Sequence, residues 1–211
     1  MKNGNPSLPK HKLAVLASGN GTNFERLAQA CQKSEIPESQ IVCLIADRAC
    51  GATSRARRLG IASFVLEPKK FPDMESWSKA LLDSLKKQDA GLILLAGFLR
   101  KIPPALIKAY PAKILNIHPA LLPKYGGQGM YGRRVHEAVL ASKEIETGVT
   151  IHVVDEEYDH GPVIWQEKIP VLPTDTPETL QFRIHEIEHR AYPKAVAFYL
   201  KHISQKRAPL R

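Results

Sequence analysis

The sequence Ile114-Leu-Asn-Ile-His-Pro-Ala-Leu-Leu-Pro123 begins as an apolar strand and ends in two polar side chains and two prolines. Asn116 and His118 are two residues apart, so on a strand their side chains point to the same face. An amide donor and an imidazole at a strand end can hold a carbonyl oxygen as it becomes an oxyanion. The prolines cannot continue the ladder, so the backbone leaves the sheet there. A strand end that only satisfies local hydrogen bonds is the alternative interpretation.

Apolar strands and amphipathic helices alternate on both sides of this stretch. We predict strands at 12–17, 41–46, 62–66, 91–96, 114–118, 147–154 and 163–171, and helices at 24–32, 51–59, 74–88, 103–109, 133–142 and 176–200. This alternation indicates a single α/β domain with a doubly wound, largely parallel sheet. Such sheets bind ligands at the carboxyl ends of their strands. A break in the last helix near Pro193 is an alternative to one continuous helix.

The turn Ser18-Gly-Asn-Gly-Thr-Asn23 lies between the first predicted strand and the first helix. This order presents backbone N–H groups and the positive end of a helix to a phosphate. A dinucleotide fingerprint would need a third glycine where the chain has Phe24, so the turn favours a monophosphate. Asp47, after the second strand, could bind a ribose and keeps an oxidoreductase as an alternative. A plain connection without a ligand is the other alternative.

The net charge of +9 is concentrated at the two ends of the chain. The first twelve residues carry three lysines, and the last twelve carry four basic residues. Neither segment contains an acid, so the ends contribute +7 and the other 187 residues +2 (9 − 7 = 2). We predict a basic extension at 1–11, a domain at 12–200 and a basic tail at 201–211. Because a nucleic-acid-binding face would place this charge on the folded domain, we expect no nucleic-acid partner.

Composition and cysteine usage predict a cytoplasmic protein with no membrane partner. Apolar residues make up 44% and charged residues 24% of the chain, as in ordinary globular proteins. No apolar run approaches the roughly twenty residues that span a bilayer, and the first residues lack the apolar core of a secretory signal. The three cysteines are odd in number and form no C-x-x-C pair, which is typical of a reducing compartment.

The motif Asn-x-His-Pro-x-Leu-Leu-Pro at 116–123, with Asp159-His-Gly-Pro162 further on, resembles the folate-dependent formyltransferases. The similarity extends over about 12–200, and within this family it is strongest to members that act on phosphoribosylglycinamide. The resemblance implies transfer of a formyl group from 10-formyltetrahydrofolate to the amine of 5′-phosphoribosylglycinamide in de novo purine biosynthesis. It further implies two small-molecule substrates, with folate as a co-substrate and neither a tightly bound cofactor nor a metal.

The resemblance also implies a role for individual residues of this sequence. The expected catalytic residues are Asn116, His118 and Asp159, the expected ribotide-binding residues are Gly21, Thr22, Asn23 and Glu188, and the expected folate-binding residues are Leu99, Arg100, Lys101, Ile102, Asp155 and Asp159. Asp159 should favour the charged form of His118 and so raise its pKa. Met74 stands where some relatives have an arginine near the folate tail, so the sequence departs from the family there.

Several other functions remain as alternatives. His185-Glu-Ile-Glu-His189 matches the H-E-x-x-H signature of zinc proteases, although no further ligand is obvious downstream. Arg55, Arg57 and Arg58 on the second helix are interpreted as a solvated face. Within the resembled family, formyl transfer to aminoacyl-tRNA and hydrolysis of formyltetrahydrofolate are alternatives. Outside it, a ligand-binding module without catalysis is the alternative.

The segment 124–132 is predicted to be a mobile lid. Its four glycines lower the cost of changing backbone angles, and few apolar side chains anchor it. Closure of this segment would exclude water, which could otherwise hydrolyse the formyl group. A fixed loop whose glycines permit close packing is the alternative.

Overall fold

The structure, a computed structural model, describes residues 10–206. The predicted basic extension at 1–11 lies almost entirely outside these residues, as does the end of the predicted basic tail. The first strand begins at His11. The last helix continues to Lys206, so it includes the first residues of the segment predicted as a tail.

The described residues form seven strands and six α-helices, and every predicted element is present. The strands are β1 His11–Ala17, β2 Ser39–Ala46, β3 Ser63–Val65, β4 Leu92–Leu95, β5 Ile114–His118, β6 Glu146–Val153 and β7 Val163–Pro170. The helices are α1 Thr22–Gln32, α2 Gly51–Arg58, α3 Met74–Lys87, α4 Pro104–Ala109, α5 Arg133–Ala141 and α6 Pro177–Lys206. No helix among residues 10–206 is both long enough and apolar enough to cross a membrane.

All seven strands belong to one sheet with the order β3-β2-β1-β4-β5-β6-β7. The five strands from β3 to β5 are parallel to one another, whereas β6 pairs antiparallel with β5, and β7 antiparallel with β6. The chain order reverses between β1 and β4, which is where open α/β sheets form a ligand crevice. The prediction of a single α/β domain with a largely parallel sheet is confirmed.

Apolar side chains cover both faces of the sheet. Along β1, Leu13 and Val15 point into one core, which contains α1 and most of α6, while Ala14 and Leu16 point into the other. The second core contains the apolar stripe of α3, including the fully buried Trp77. Because both faces are covered, the central strands read as continuous apolar runs.

Two elements differ in detail from the prediction. Helix α1 begins at Thr22, two residues before the predicted start, because Gly21 takes a left-handed φ of 79° and serves as its N-cap. Helix α6 is not broken at Pro193. The preceding residue, Tyr192, is buried, and its hydroxyl lies within hydrogen-bond distance of the carbonyl oxygens of Leu95 (3.0 Å) and Leu115 (3.1 Å). This packing against the sheet holds the helix where the proline removes a backbone hydrogen bond.

Candidate active site

A cavity of about 460 Å³ lies at the carboxyl ends of β1, β4 and β5. The loops before α5 and after β6, together with α6, complete its wall. The cavity is lined by every residue predicted to act in catalysis or binding: Asn116, His118, Asp159, Gly21, Thr22, Asn23, Glu188, Leu99, Arg100, Lys101, Ile102 and Asp155. Residues that are far apart in the sequence therefore share one space.

The Asn116 side chain is held by two neighbours. Strand β6 pairs with β5 so that His152 lies opposite Asn116. The Asn116 amide nitrogen lies 3.1 Å from His152 Nε2 and 3.3 Å from Asp159 Oδ1. His152 Nδ1 lies 2.9 Å from the carbonyl oxygen of Val153. Because a carbonyl oxygen can only accept a hydrogen bond, Nδ1 must carry a proton. In a ring with one proton, Nε2 is then the acceptor for the Asn116 amide. Both amide hydrogens of Asn116 are thus engaged, and one bond must be exchanged before Asn116 can donate to an oxyanion.

His118 is buried between Asp159 and the loop that precedes α5. Its Nε2 donates to the carbonyl oxygen of Tyr125 at 2.8 Å, and its Nδ1 lies 3.4 Å from Asp159 Oδ2. Burial lowers the pKa of His118, and the opposing effect of the Asp159 carboxylate does not restore it. The carboxylate of Asp159 thus acts in the expected direction, but the net shift of the His118 pKa is downward because desolvation of the ring is the larger effect.

The loop 124–132 directly contacts His118 and Asp159, two of the expected catalytic residues. Besides the Tyr125 carbonyl on His118, the backbone N–H of Gly127 donates to Asp159 Oδ2 at 3.0 Å. The Tyr125 hydroxyl donates to Glu144 at 2.9 Å, which fixes one end of the loop to the segment after α5. The structure thus has the loop in contact with the site, while its mobility stays a prediction.

The turn 18–23, which is predicted to bind a phosphate, is packed tightly against α2. At Gly21 a Cβ atom would lie 2.6 Å from Ala52 Cα, so the position requires glycine for space as well as for its positive φ. Arg55 Nε donates to the carbonyl oxygen of Asn20 at 2.8 Å, and the Arg55 guanidinium also pairs with Glu25 of α1. Arg55 therefore holds the turn, which corrects its interpretation as part of a solvated face. The sequence carried no signal that would have identified this contact.

Asn23 and Glu188 connect the turn to α6. The Asn23 amide donates to Glu188 Oε2 at 2.9 Å, across 165 positions of sequence. Burial raises the pKa of Glu188 to about 7, and the hydrogen bond from Asn23 opposes this rise. A carboxyl group that is part-ionised near neutral pH thus lies beside the start of α1.

Comparison with known proteins identifies the family. Residues 11–196 match the family model described as formyl transferase. The chain belongs to the formyl transferase family. Over 188 residues it is 40% identical to the chloroplastic phosphoribosylglycinamide formyltransferase of Arabidopsis thaliana, covering 89% of this chain and 64% of that relative. It is 38% identical to the phosphoribosylglycinamide formyltransferase of Bacillus subtilis, covering 88% and 92%.

A solved structure shows the same likeness. The crystal structure of phosphoribosylglycinamide formyltransferase from Bacillus halodurans is 35% identical and superposes with a TM-score of 0.83, covering 90% of this chain and 95% of that chain. This formyl transferase therefore spans nearly the full length of the bacterial relatives and just under two thirds of the plant relative.

Two features that suggested other functions have different roles in this formyl transferase. Asp47 does not line the cavity, and its carboxylate is bound by Arg48 (2.8 Å) and Arg100 (2.9 Å), so it is not placed to bind a ribose there. In the H-E-x-x-H segment, His185 lines the cavity and His189 does not. Within residues 10–206, no group of three or more His, Cys, Asp or Glu side chains is placed to hold a metal ion.

Proposed function

We propose that this formyl transferase moves the formyl group of 10-formyltetrahydrofolate to the amine of 5′-phosphoribosylglycinamide, a step of de novo purine biosynthesis. The observation that carries the proposal is the single cavity of about 460 Å³ shared by the residues expected to bind each substrate and by Asn116, His118 and Asp159. The names of the bacterial relatives, which this chain covers almost completely, support the same reaction. Its three free cysteines suit a reducing compartment, and we propose the cytoplasm as its place of action.

In this proposal the ribotide phosphate binds at the start of α1. The first turn of a helix offers unpaired N–H groups and a positive dipole end, which together favour a phosphate. Gly21 brings the backbone close, and Thr22 and Asn23 supply the first helical N–H groups. Glu188 binds the ribotide from α6, beside the start of α1, where its carboxyl group accepts the hydrogen bond from Asn23.

The folate donor binds along the turn 99–102 and the loop 155–159. Both segments line the cavity, and the Lys101 ammonium lies 5.6 Å above the ring of Tyr158, so the two segments touch at the cavity edge. The donor is a co-substrate that leaves as tetrahydrofolate after each turnover. Met74, at the start of α3, is exposed and offers no charge to the folate tail.

The reaction proceeds by direct attack. The ribotide amine forms a C–N bond to the formyl carbon, and the carbonyl π electrons move to oxygen, which gives a tetrahedral oxyanion. His118 stabilises this oxygen with a hydrogen bond once its Nε2–H leaves the Tyr125 carbonyl, and Asn116 adds a second one after exchanging a bond to His152 or Asp159. The bond from carbon to N10 of the folate then breaks, and N10 takes up the proton that the amine releases.

Asp159 assists this proton transfer. Its carboxylate faces His118 Nδ1 at 3.4 Å, so it stabilises the imidazolium when the ring gains a proton. Because burial keeps the pKa of His118 below its ordinary value in the free protein, the ring is neutral near pH 7 and can take up the proton that the amine releases, before passing it to N10.

The test is the change in folate absorbance when the protein is mixed with 10-formylfolate, with and without the ribotide amine. The proposal predicts release of deformylated folate only when both substrates are present. Deformylation without the amine would indicate a hydrolase. No turnover with either mixture would indicate a binding module, and both results would overturn the proposal. An arm with aminoacyl-tRNA as acceptor tests the related transferase reaction.

A further inference from the structure

The turn after β4 is held by groups that do not line the cavity. Strand β1 lies between β2 and β4 in the sheet, so the three carboxyl ends are neighbours along one edge. Asp47 follows β2, Ser18 follows β1, and residues 97–100 form the turn after β4. Asp47 is a buried acid. Neither Asp47 nor Ser18 has an expected role in catalysis or in substrate binding.

Ser18 binds the turn at two points. Its backbone N–H donates to the carbonyl oxygen of Gly97 at 3.0 Å, and its hydroxyl oxygen accepts from the N–H of Leu99 at 2.9 Å. Gly97 has a positive φ of 70°, so the backbone reverses direction between these two bonds. The Leu99 N–H is therefore bound within the protein and is not free to bind a ligand.

Asp47 supplies the third point of attachment. Its Oδ2 accepts from Arg100 Nε at 2.9 Å, across 53 positions of sequence, and its side chain is fully buried. Burial alone would raise the pKa of Asp47, but hydrogen bonds from Arg48, Arg100 and Ser18 hold that pKa below its ordinary value. Asp47 is therefore a carboxylate at neutral pH, and charge-assisted hydrogen bonds of this kind are the stronger ones.

We propose that Asp47 and Ser18 are positioning residues for the folate turn, holding residues 97–100 in the shape that receives the formyl donor. The proposal rests on the proposed function, since it assigns the donor to this turn. The side chain of Arg100 then binds Asp47 and holds the turn in place, and the backbone of the turn binds the ligand. Neither Asp47 nor Ser18 touches the reacting atoms.

This arrangement has a specific consequence for binding. A ligand held by backbone groups needs those groups fixed before it arrives, because ordering them on binding would reduce affinity. Loss of the Asp47 carboxylate frees Arg100 and loosens one side of the turn. Loss of the Ser18 hydroxyl leaves the Leu99 N–H without its acceptor. Each change should weaken folate binding while the ribotide site keeps its own contacts with α2 and α6.

The experiment compares Asp47→Asn and Ser18→Ala with Arg48→Met in the full chain. Arg48 binds the same carboxylate but lies outside the turn, so its variant is a matched control. The measurements are the Kd of tetrahydrofolate by titration calorimetry, the KM of the ribotide and the midpoint of thermal unfolding. We expect Asp47→Asn to weaken tetrahydrofolate binding about tenfold, since it loses a hydrogen bond between charged groups, and Ser18→Ala about fivefold, since it loses a neutral one. Arg48→Met should bind as the wild type does.

The ribotide KM separates a positioning role from a general structural one. Equal losses for both substrates, or unchanged tetrahydrofolate affinity in both variants, would overturn the proposal. If Asp47→Asn shows no cooperative unfolding transition, Ser18→Ala decides the question alone. A wild type that binds no tetrahydrofolate overturns the proposed function and this inference together. If the wild type binds tetrahydrofolate and both variants bind it equally well, only this inference is overturned.

Discussion

The cavity wall consists of two regions that differ in what they present to a ligand. At the end of β5 and after β6, it presents the side chains of Asn116, His118 and Asp159, which are bonded to one another and to the loop 124–132. After β1 and β4, it presents the start of a helix and a backbone turn, whose shapes are fixed by residues behind them. The first region lies where the sheet changes from parallel to antiparallel, and the second lies in the parallel part.

Under the proposed function, this difference separates chemistry from binding along one edge of the sheet. In the antiparallel part, replacing one of the expected catalytic side chains should remove a group that the reaction itself needs. In the parallel part, most side chains act through the position of the backbone, so substitutions should change affinity and leave the chemical step intact. The predictions below test whether the two regions can be separated in this way.

The largest effect is expected for His118→Ala. Its hydrogen bond should strengthen as charge develops on the formyl oxygen, so the loss should appear in kcat and not in ribotide binding. Removing one such donor lowers kcat by roughly 10²–10³-fold. The measurement is steady-state turnover together with the Kd of the ribotide. Turnover close to that of the wild type would remove His118 from the mechanism and erase the difference between the two regions.

The next largest effect is expected for Gly21→Ala. The new Cβ would lie 2.6 Å from Ala52 Cα at a φ of 79°, so the turn must shift away from the position that meets the phosphate. Because several backbone N–H groups move together, we expect the ribotide KM to rise about a hundredfold with little change in kcat. Gly91→Ala, where the nearest atom would be 3.6 Å away, is the matched control. An unchanged KM would mean that the phosphate binds elsewhere.

Sequence patterns predicted the fold well because they are local. Apolar runs and their breaks locate the strands and helices, and the N-x-H-P motif marks the end of β5. The contacts that fix the turns could not be predicted in the same way. Arg100 and Asp47 are 53 positions apart, and Arg55 and Asn20 are 35 apart. Nothing in the local sequence of any of these four residues indicates its partner.

The direction of the His118 pKa shift shows a second limit of sequence reasoning. A neighbouring Asp159 can be expected from the motif, and its charge acts in the expected direction. The larger effect comes from burial of the ring, which lowers the pKa although the hydrogen bond to the Tyr125 carbonyl acts to raise it. Burial of one side chain depends on many distant residues together, so a motif cannot reveal it.

A smaller effect is expected for Glu188→Gln, which removes a charge and leaves the backbone unchanged. Losing its charge should raise the ribotide KM about tenfold, because a hydrogen bond to a charged group becomes a neutral one. Thr22→Ala, at the start of α1, should likewise raise the ribotide KM. Folate affinity should not change in either variant, and a parallel loss of folate affinity would contradict the separation of the two substrate sites.

Glu188 also predicts a dependence of stability on pH. Its pKa rises from 4.5 to about 7 in the folded chain, which corresponds to about 3 kcal/mol at roughly 1.4 kcal/mol per unit. A raised pKa gives stability that is complete below pH 4.5 and is lost as the pH rises toward 7. Wild type should therefore lose unfolding free energy across this range relative to Glu188→Gln, which does not titrate. Denaturant unfolding at pH 5 and pH 8 measures the difference, and a constant difference would show that Glu188 keeps its ordinary pKa.

The smallest effect concerns the loop 124–132, whose movement would connect the two regions of the cavity wall. The Gly127 N–H donates to Asp159 at 3.0 Å, so its exchange with solvent requires the loop to leave the catalytic residues. If the loop is a lid, this amide should exchange measurably in the free protein and more slowly when both substrates hold the loop closed. The Val153 N–H, bonded to the Pro162 carbonyl at 2.9 Å, is the matched control and should exchange slowly in both states. Exchange at Gly127 as slow as at Val153, with and without ligands, would mean that the loop is static. The His118 Nε2–H would then stay hydrogen-bonded to the Tyr125 carbonyl, and the oxyanion would have to compete for this donor without any help from loop movement.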